Sequence, residues 1–336
     1  MMDTSKKFSL YPCCILTQGK QRALITDIQR CKYKLIPLSL YVLLSDYKEY
    51  TIEQIIEKFP NEETTILKYY RFLLEKEWGL LEKQGESMFK PIAPVFYNPM
   101  LITNAIFDYD RYSQYSIPSA ISKLEELHCE NLEIRFYDVF DLDFICNNVI
   151  NSLEGTSIRN LELLMQFTNE NSIQRIIDIY KMCPRLRKVT IVSVPKQFEK
   201  ILNNGELVVI LTSEIVRSET SCGVIKPCYF TPETAMYLES LHYNNCLNAK
   251  ISVDRYGNIK NCPSMTQIYG HIERNTLVDI ASMPEFQKLW HIKKDDIKVC
   301  KECEFRYMCH DCRAYLIHPD DICSKPQKCS YNPSKQ

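Results

Sequence analysis

The spacing of apolar side chains divides the chain into three stretches with different periodicities. In the first, residues 1–90, three extended runs precede three helices, and a returning strand follows Gly79. The third helix carries an apolar stripe at helical spacing. The extended runs are Phe8–Leu16, Arg22–Ile28 and Lys32–Pro37, and the stripe is Ile66, Tyr69, Tyr70, Leu73 and Leu74. This order of elements predicts a winged-helix-like module.

Strand and helix patterns alternate through the second stretch, residues 91–230, after a linker that contains several prolines. The predicted strands are Leu101–Phe107, Leu132–Tyr137, Asn160–Phe167, Lys188–Val194 and Leu207–Thr212. The predicted helices are Pro118–His128, Leu142–Leu153, Ser172–Met182 and Lys196–Asn203. Such alternation builds a parallel sheet with helical crossovers. The units are too few for an eightfold barrel, so the pattern predicts an α/β fold with a truncated parallel (β/α) partial barrel.

Polar residues cluster where the first two of these strands end. The carboxyl ends of parallel strands carry the chemistry of most such sheets. These side chains therefore form either the mouth of a peptide-binding cavity or the caps and solvated turns of the following helices. They are Asp108, Asp110, Arg111, Arg135, Asp138, Asp141 and Asp143.

Composition excludes several classes of protein. The net charge is −1, so no basic surface argues for nucleic acid or an anionic membrane as a partner. The sequence has no apolar signal core and no uninterrupted apolar stretch long enough to span a bilayer, which predicts a cytoplasmic protein with reduced thiols. Only eight glycines occur, and neither glycine-rich phosphate motif is present. Any ATP chemistry in the pathway is therefore expected from another protein.

The third stretch, residues 231–336, holds half of the sixteen cysteines. Four of them lie in the run CKECEFRYMCHDC, with two, five and two residues between successive sulfurs. Eight soft thiolates exceed what one mononuclear site uses, which indicates two metal centres, or one centre with structural thiols. The eight are Cys246, Cys262, Cys300, Cys303, Cys309, Cys312, Cys323 and Cys329.

Three explanations for these cysteines remain open at this point. Disulfides are disfavoured because they are rare in a reducing compartment. Structural zinc fits the Cys-x2-Cys pairs, but the pairs follow one another more closely than zinc knuckles usually do. Iron–sulfur clusters fit best, because all the ligands are thiolates and the spacing is tight.

The same segment resembles the SPASM domain of peptide-modifying enzymes. The resemblance rests on Cys246, Gly257 and Cys262, on the hairpin KISVDRYGNIKNCPS, and on the cysteine run. It implies one or two clusters, each expected to be 4Fe-4S. One would be held by Cys300, Cys303, Cys309 and Cys329, and the other by Cys246, Cys262 and Cys312.

This chain departs from the SPASM pattern in two ways. Cys309 and Cys312 are separated by two residues rather than three, and no ligand stands just before Cys246. The second cluster is therefore either incomplete or recruits Cys228 or Cys323. The connector SCGVIKPCYF also offers Cys222 as an extra ligand.

The barrel stretch is similar to a radical S-adenosylmethionine enzyme that lacks its central motif. Such an enzyme carries Cys-x3-Cys-x2-Cys after its first barrel strand, and no such triplet occurs anywhere in this sequence. The departure favours a non-catalytic or degenerate member of a peptide-maturase family. It also implies that S-adenosylmethionine is not cleaved.

Taken whole, the chain resembles the SPASM-domain peptide maturases of grasp-with-spasm systems. The quoted hairpin carries the likeness, together with the opening FSLYPCCILTQGKQRALITDIQRCKYKLIP and the strand texts LITNAIFDYD and LEIRFYD. The resemblance implies a precursor peptide and an ATP-grasp ligase as partners, and an accessory role in peptide maturation. A redox-active enzyme that uses the clusters and a zinc-stabilised interaction module remain as alternatives.

The first module resembles the peptide chaperone of pyrroloquinoline-quinone biosynthesis. That likeness implies that the precursor's leader adds as a strand to the exposed sheet edge and packs against the longest helix. The residues expected to contact the leader are Lys32, Lys34, Leu35, Ile66 and Tyr70.

Overall fold

The computed structural model describes residues 2–168 and 173–335. The first module contains five strands and three helices. The strands are β1 (Lys7–Leu10), β2 (Cys14–Gln18), β3 (Ala23–Asp27), β4 (Lys32–Ile36) and β5 (Gly79–Glu82). The helices are α1 (Leu38–Ser45), α2 (Ile52–Lys58) and α3 (Glu63–Glu75). Strands β2, β3 and β4 form an antiparallel sheet in that order, and β1 pairs with β5.

The core of this module lies between the three-stranded sheet and the helices. Ile25 from β3 and Ile36 from β4 pack in one cluster with Leu73 of α3. Thr51 begins α2 with both hydrogen bonds of a capping box, since its hydroxyl accepts from the Gln54 N–H and its own N–H donates to the Gln54 side chain. These contacts hold the helices against one face of the sheet and leave the other face free to pack elsewhere.

The second sheet has nine strands in the order β10-β11-β9-β8-β7-β6-β12-β13-β14. Its strands are β6 (Asn104–Tyr109), β7 (Asn131–Phe136), β8 (Asn160–Gln166), β9 (Leu186–Val192), β10 (Lys200–Asn204), β11 (Leu207–Leu211), β12 (Lys250–Val253), β13 (Asn258–Lys260) and β14 (Gly270–His271). The strands from β11 to β12 pair in parallel, and β10, β13 and β14 are antiparallel additions. The chain therefore has the mixed α/β fold with a large, mostly parallel sheet that its pattern predicts.

Helices cover one face of this sheet. They are α4 (Ile117–Glu125), α5 (Leu142–Ile145) and α6 (Ile173–Met182). The side chains that they bury share one core with alternate strand residues such as Leu132, Ile134 and Phe136. The intervening residues point to the opposite face, where Asn131 and Glu133 stay partly exposed. The two faces are thus chemically distinct, one apolar and covered, the other polar.

Two of the predicted helices differ in the structure. Residues Lys196–Asn203 are not a helix: after a single turn at Lys196–Phe198 the chain forms β10, which pairs antiparallel with β11. Gly205 lies in the tight turn at a φ of +65° and folds β10 back onto its neighbour.

The predicted helix Leu142–Leu153 begins as α5 and continues as a π-helix and a 3₁₀ turn. The predicted helix Ser172–Met182 begins at Ile173 among the described residues, since Ser172 lies outside them.

The last stretch joins the same sheet. Strand β12 lies beyond residue 230 and yet pairs in parallel with β6, so the sheet continues into the cysteine-rich segment. The predicted hairpin is present as β12 and β13, with Gly257 at a φ of +82° in its turn. Three short helices accompany it: α7 (Thr234–Ser240), α8 (Leu277–Ala281) and α9 (Pro284–Gln287). Among the described residues, no helix is long and apolar enough to cross a membrane.

Candidate metal centres and peptide-binding surfaces

One group of thiols comprises Cys300, Cys303, Cys309 and Cys329. The pKa of Cys303 is raised to about 12, chiefly by burial, with smaller contributions from Glu304, Cys309 and Cys300. Burial also raises the pKa of Cys309 to about 11, opposed by the charge of Lys294 and reinforced by Cys300 and Cys329. Cys300 and Cys309 thus lie close enough to Cys303 and Cys329 to influence them electrostatically. That the four bind one cluster stays a prediction of the SPASM resemblance.

A buried ionic network supports this first group. Lys294 lies with its Nζ 4.0 Å from the Cys300 sulfur and 3.1 Å from Asp311 Oδ1. The same carboxylate accepts from Arg313 Nη2 at 2.6 Å and, through Oδ2, from Asn244 Nδ2 at 2.8 Å. Lys294, Asp311 and Arg313 are all buried, and buried charges are stable only when each is paired with an opposite charge. The lysine supplies positive charge beside ligands that must be thiolates to bind a metal.

The second group joins Cys222 to Cys246, Cys262 and Cys312. Burial raises the pKa of Cys262 to about 12, and the thiols of Cys246 and Cys222 add to the rise. Burial likewise raises the pKa of Cys312, and Cys222 contributes again. A Cβ on Gly223 would lie 2.9 Å from the Cys312 sulfur, so only glycine lets the connector approach this thiol.

Lys250 serves the second group as Lys294 serves the first. Burial lowers its pKa, but the neighbouring Cys246, Cys262, Glu133 and Cys222 together raise it, so the net shift is upward. Lys250 stands on β12, directly beside Asn104 of β6. Each thiol group is thus accompanied by one lysine whose charge it stabilises.

The donor sets fit iron–sulfur clusters. Each group offers four thiols and a nearby cation, which is the all-cysteine ligation of such clusters. A closed tetrahedral zinc site, with Zn–S bonds of about 2.3 Å, holds its sulfurs about 3.8 Å apart. Within residues 2–168 and 173–335, neither group contains three ligand atoms within 4.8 Å of one another. A cluster separates its thiolates further, because each binds a different iron.

Cys323 and Cys228 are the remaining candidate cysteines. Cys323 is partly buried, and its backbone N–H donates to Asp321 Oδ1 at 3.1 Å. Cys228 is exposed, and all sixteen cysteines are free thiols. In the described ranges, three metal-binding side chains come within 4.8 Å only at Cys13, Cys14 and Asp27. That carboxylate already accepts hydrogen bonds from the backbone of Gln29 and from Arg30, so it closes a turn.

Strand β4 presents an open edge beside α3. It is the last strand of its sheet, with β3 as its neighbour on one side. Just beyond the strand, the hydroxyl of Ser39 on α1 lies 3.0 Å from that of Tyr69 on α3. At the start of β4, the Lys32 ammonium lies 5.3 Å from the Trp78 ring centroid. Lys34 is exposed on the same side of the sheet.

Two of the residues expected to contact the leader are in the module core. Ile66 is 3% exposed and Tyr70 is 2% exposed, because the apolar face of α3 packs on the sheet. They support the helix and do not line its surface. Tyr69 and Phe72 are partly exposed and pack against the edge of the module core, whereas Lys68, Arg71 and Glu75 lie on the exposed side of α3. Lys32, Lys34 and Leu35 lie on β4, where Lys34 is exposed and Leu35 packs against the cluster that contains Phe305; their contact with a leader stays a prediction.

The other face of this sheet packs on the first thiol group. Leu24 and Leu35 share a small cluster with Phe305, Met308 and Cys303. The ring of Tyr33 stands edge-on to that of Phe305, with 6.0 Å between their centroids. Strand β4 therefore touches the cysteine run with one face while its edge stays open.

A cavity of about 700 Å³ separates the polar face of the large sheet from the second thiol group. Its floor holds aligned side chains of adjacent strands, with Asn104 beside Asn131 and Ile106 beside Glu133. Its opposite wall includes the four thiols of the second group. The strand-end residues pair among themselves: Arg111 Nη2 with Asp138 at 2.9 Å, and Arg135 Nε with Asp108 at 2.7 Å.

No protein-family model matches this sequence, and no curated protein matches it. Solved structures do match it, among them two of SuiB from Streptococcus suis. One is bound to precursor peptide SuiA; it shares 10% identity at a TM-score of 0.31, over 96% of this chain and 100% of that one. The other is bound to S-adenosylmethionine. It shares 10% identity at a TM-score of 0.34, over 95% of this chain and 99% of that one. At this level the likeness carries no conclusion about this chain.

Proposed function

We propose that this chain is an accessory maturation protein that binds a precursor peptide and carries two iron–sulfur clusters. The observation that supports the proposal is that buried lysines accompany the thiols: Lys294 Nζ lies 4.0 Å from the Cys300 sulfur, and Lys250 lines one cavity with Cys222, Cys246, Cys262 and Cys312. Cys222 would complete the second cluster, where the SPASM pattern lacks a ligand. Each cluster would add folding free energy to a segment that has few regular elements.

Peptide binding would use the open edge of β4. A leader added as a strand gains backbone hydrogen bonds from β4 and side-chain contacts from α3. Tyr69 and Phe72 would supply the apolar contacts, and Lys34 would supply a charge. The grasp-with-spasm resemblance makes an ATP-grasp ligase the second partner. This chain would act in the cytoplasm, where its thiols stay reduced.

Metal analysis tests the proposal most directly. Iron, sulfide and zinc are measured per chain on anaerobically purified protein, together with its visible spectrum. Iron and sulfide for two clusters support it, whereas content for one cluster contradicts the assignment of a second. Zinc without sulfide or colour would replace it with a zinc-stabilised interaction module.

A redox-active enzyme is the second candidate. The observation in its favour is that Cys222, Cys246, Cys262 and Cys312 line the cavity, so a cluster there would adjoin any bound peptide. Against it stands the missing Cys-x3-Cys-x2-Cys triplet. Release of methionine from S-adenosylmethionine by the reduced protein would favour the enzyme, and its absence in a sample with full iron content would favour the accessory role.

A further inference from the structure

The turn between β2 and β3 contacts the cysteine run near the other end of the chain. The backbone N–H of Lys20 donates to the Glu302 carbonyl at 2.9 Å. Arg22 Nε donates to Glu304 Oε1 at 2.6 Å, and the Glu304 side chain is 1% exposed. Glu302 and Glu304 are the two neighbours of Cys303 in the chain, so the turn holds the backbone on both sides of one thiol of the first group.

One guanidinium links the two sides of this contact. Arg306 Nη1 donates to the carbonyl of Gln18, the last residue of β2, at 2.6 Å, and to the carbonyl of Cys303 at 3.0 Å. Because one nitrogen serves both acceptors, a single side chain connects the backbone of Cys303 to the first module. Residues 18–22 and 302–306 together form what we call the clamp.

Gly19 lets the two sides of the clamp come this close. A Cβ at this position would lie 2.7 Å from Glu304 Oε2 and 2.8 Å from the carbonyl oxygen of Arg22. The first of these atoms is on the opposite side of the clamp, and the second belongs to the turn itself. A side chain at this position would therefore push the two sides apart, although it lies far from the cysteines in the sequence.

Noncovalent contacts decide where the first module lies. The chain leads from the module to the large sheet through residues 83–103, which contain no helix and no strand. The contacts of the module with the cysteine segment include the clamp and the apolar cluster around Phe305. In return, residues 302–306 contain only the ends of two 3₁₀ turns, so the backbone there depends on its neighbours to keep its course.

We propose that the clamp positions Cys303 as a metal ligand, so that the first module and the metal centre at the first thiol group stabilise each other. The inference rests on the proposed function, and it adds Arg22 and Arg306 as positioning residues that no cysteine pattern identifies. A ligand whose backbone is already held loses less freedom when it binds a metal, so the clamp favours metal retention. Because such coupling is reciprocal, the bound metal in turn holds the module, and with it the open edge of β4, in one position.

Iron release tests the effect of the clamp on the metal, in the intact, anaerobically purified protein. Wild type and Gly19→Ala are mixed with an excess of a ferrous chelator, and the absorbance of the chelated iron is followed. Gly19→Ala is expected to release iron about fivefold faster, as the loss of one net hydrogen bond allows. Equal rates overturn the inference and leave the proposed function standing. Wild type that binds no metal overturns the proposed function as well, so the two failures are distinguishable.

Two further variants separate positioning from general stability. Arg306→Gln removes the nitrogen that serves the carbonyls of Gln18 and Cys303, and it should accelerate iron release as Gly19→Ala does. The matched control is Gly155→Ala, which strains the backbone because Gly155 has a φ of +72°, whereas its Cβ meets nothing within 4 Å. It should lower the unfolding midpoint and leave iron release unchanged. Release from Gly155→Ala as fast as from Gly19→Ala would overturn the inference, because the rates would then report stability alone.

Hydrogen exchange tests the effect of the metal on the module. The Lys20 amide donates across the clamp, whereas the Gly19 amide donates to the Arg22 carbonyl within the turn. After the metal is stripped from wild type, exchange at Lys20 is expected to rise about tenfold more than at Gly19 and than at the amides of β3, which report whether the module stays folded. Unchanged exchange at Lys20 overturns the reciprocal half of the inference. An equal rise in β3 overturns it too, because the metal would then stabilise the fold of the module rather than its position.

Discussion

Strand addition at β4 predicts opposite effects of proline at two neighbouring positions. Successive backbone N–H groups of a strand point to opposite sides. Of Lys34 and Leu35, therefore, one donates toward β3 and the other toward the open edge. Lys34→Pro and Leu35→Pro should thus separate stability from binding. The proline that faces β3 breaks a bond of the sheet, and the other removes only a donor for the leader.

The size of the effect follows from the five residues of β4. Two or three of them face outward, and each offers the leader one N–H and one C=O. One such hydrogen bond is worth about 1 kcal/mol net, which is about fivefold in affinity. The proline ring also obstructs the edge, so a loss of about tenfold is expected for the outward position. The inward proline should instead lower the free energy of unfolding by about 1 kcal/mol or more.

The assay is fluorescence anisotropy with a labelled leader segment of the proposed precursor peptide. Thermal unfolding of each variant is recorded in the same buffer. Lys34→Ala and Leu35→Ala serve as controls, because they remove the side chains and keep both N–H groups. The reasoning is refuted if the proline variant with an unchanged unfolding midpoint also keeps its full affinity. Equal losses for alanine and proline would assign recognition to the side chain instead.

Four further changes have defined outcomes. Cys222→Ser should remove about one cluster's iron while Cys323→Ser leaves the iron content unchanged; equal iron in both would contradict the assignment of the second group. Gly223→Ala should lower iron in the same way, because its Cβ meets the Cys312 sulfur at 2.9 Å and its φ is +83°; full occupancy would show that the connector shifts freely. Glu304→Ala should lower the free energy of unfolding by about 2 kcal/mol, because it removes the acceptor of two hydrogen bonds. Arg22 Nε and the Tyr331 hydroxyl donate to Glu304 Oε1 at 2.6 and 2.5 Å. An unchanged denaturant midpoint would contradict this. Asp108 has a folded pKa of about 6, above its ordinary 3.8, so the stability that it confers is complete below about pH 4 and is lost as pH rises through 6. Wild type should therefore lose up to about 3 kcal/mol relative to Asp108→Asn over that range, measured by urea unfolding at each pH.

Periodicity predicted the parallel strands because each alternates cleanly between a covered face and an open one. It failed at Lys196–Asn203, because KQFEKILN has only three apolar residues, too few to distinguish helix from strand, and the turn at Gly205 decides. The apolar stripe of α3 was located correctly, but Ile66 and Tyr70 face the core, because such a stripe is buried first against its own module. Spacing alone did not assign Cys222, since only the fold brings the connector to Cys312.

The two-residue gap between Cys309 and Cys312 places those cysteines in different thiol groups, and Asp311 lies between them. Three peptide steps keep their Cα atoms within about 11 Å. A cluster bound at either thiol group would therefore immobilise the backbone that presents a ligand to the other group. The second cluster would then bind to a preformed site. Such a chain would be found empty or doubly loaded far more often than half loaded. The short tether would make assembly of the two centres a single cooperative event.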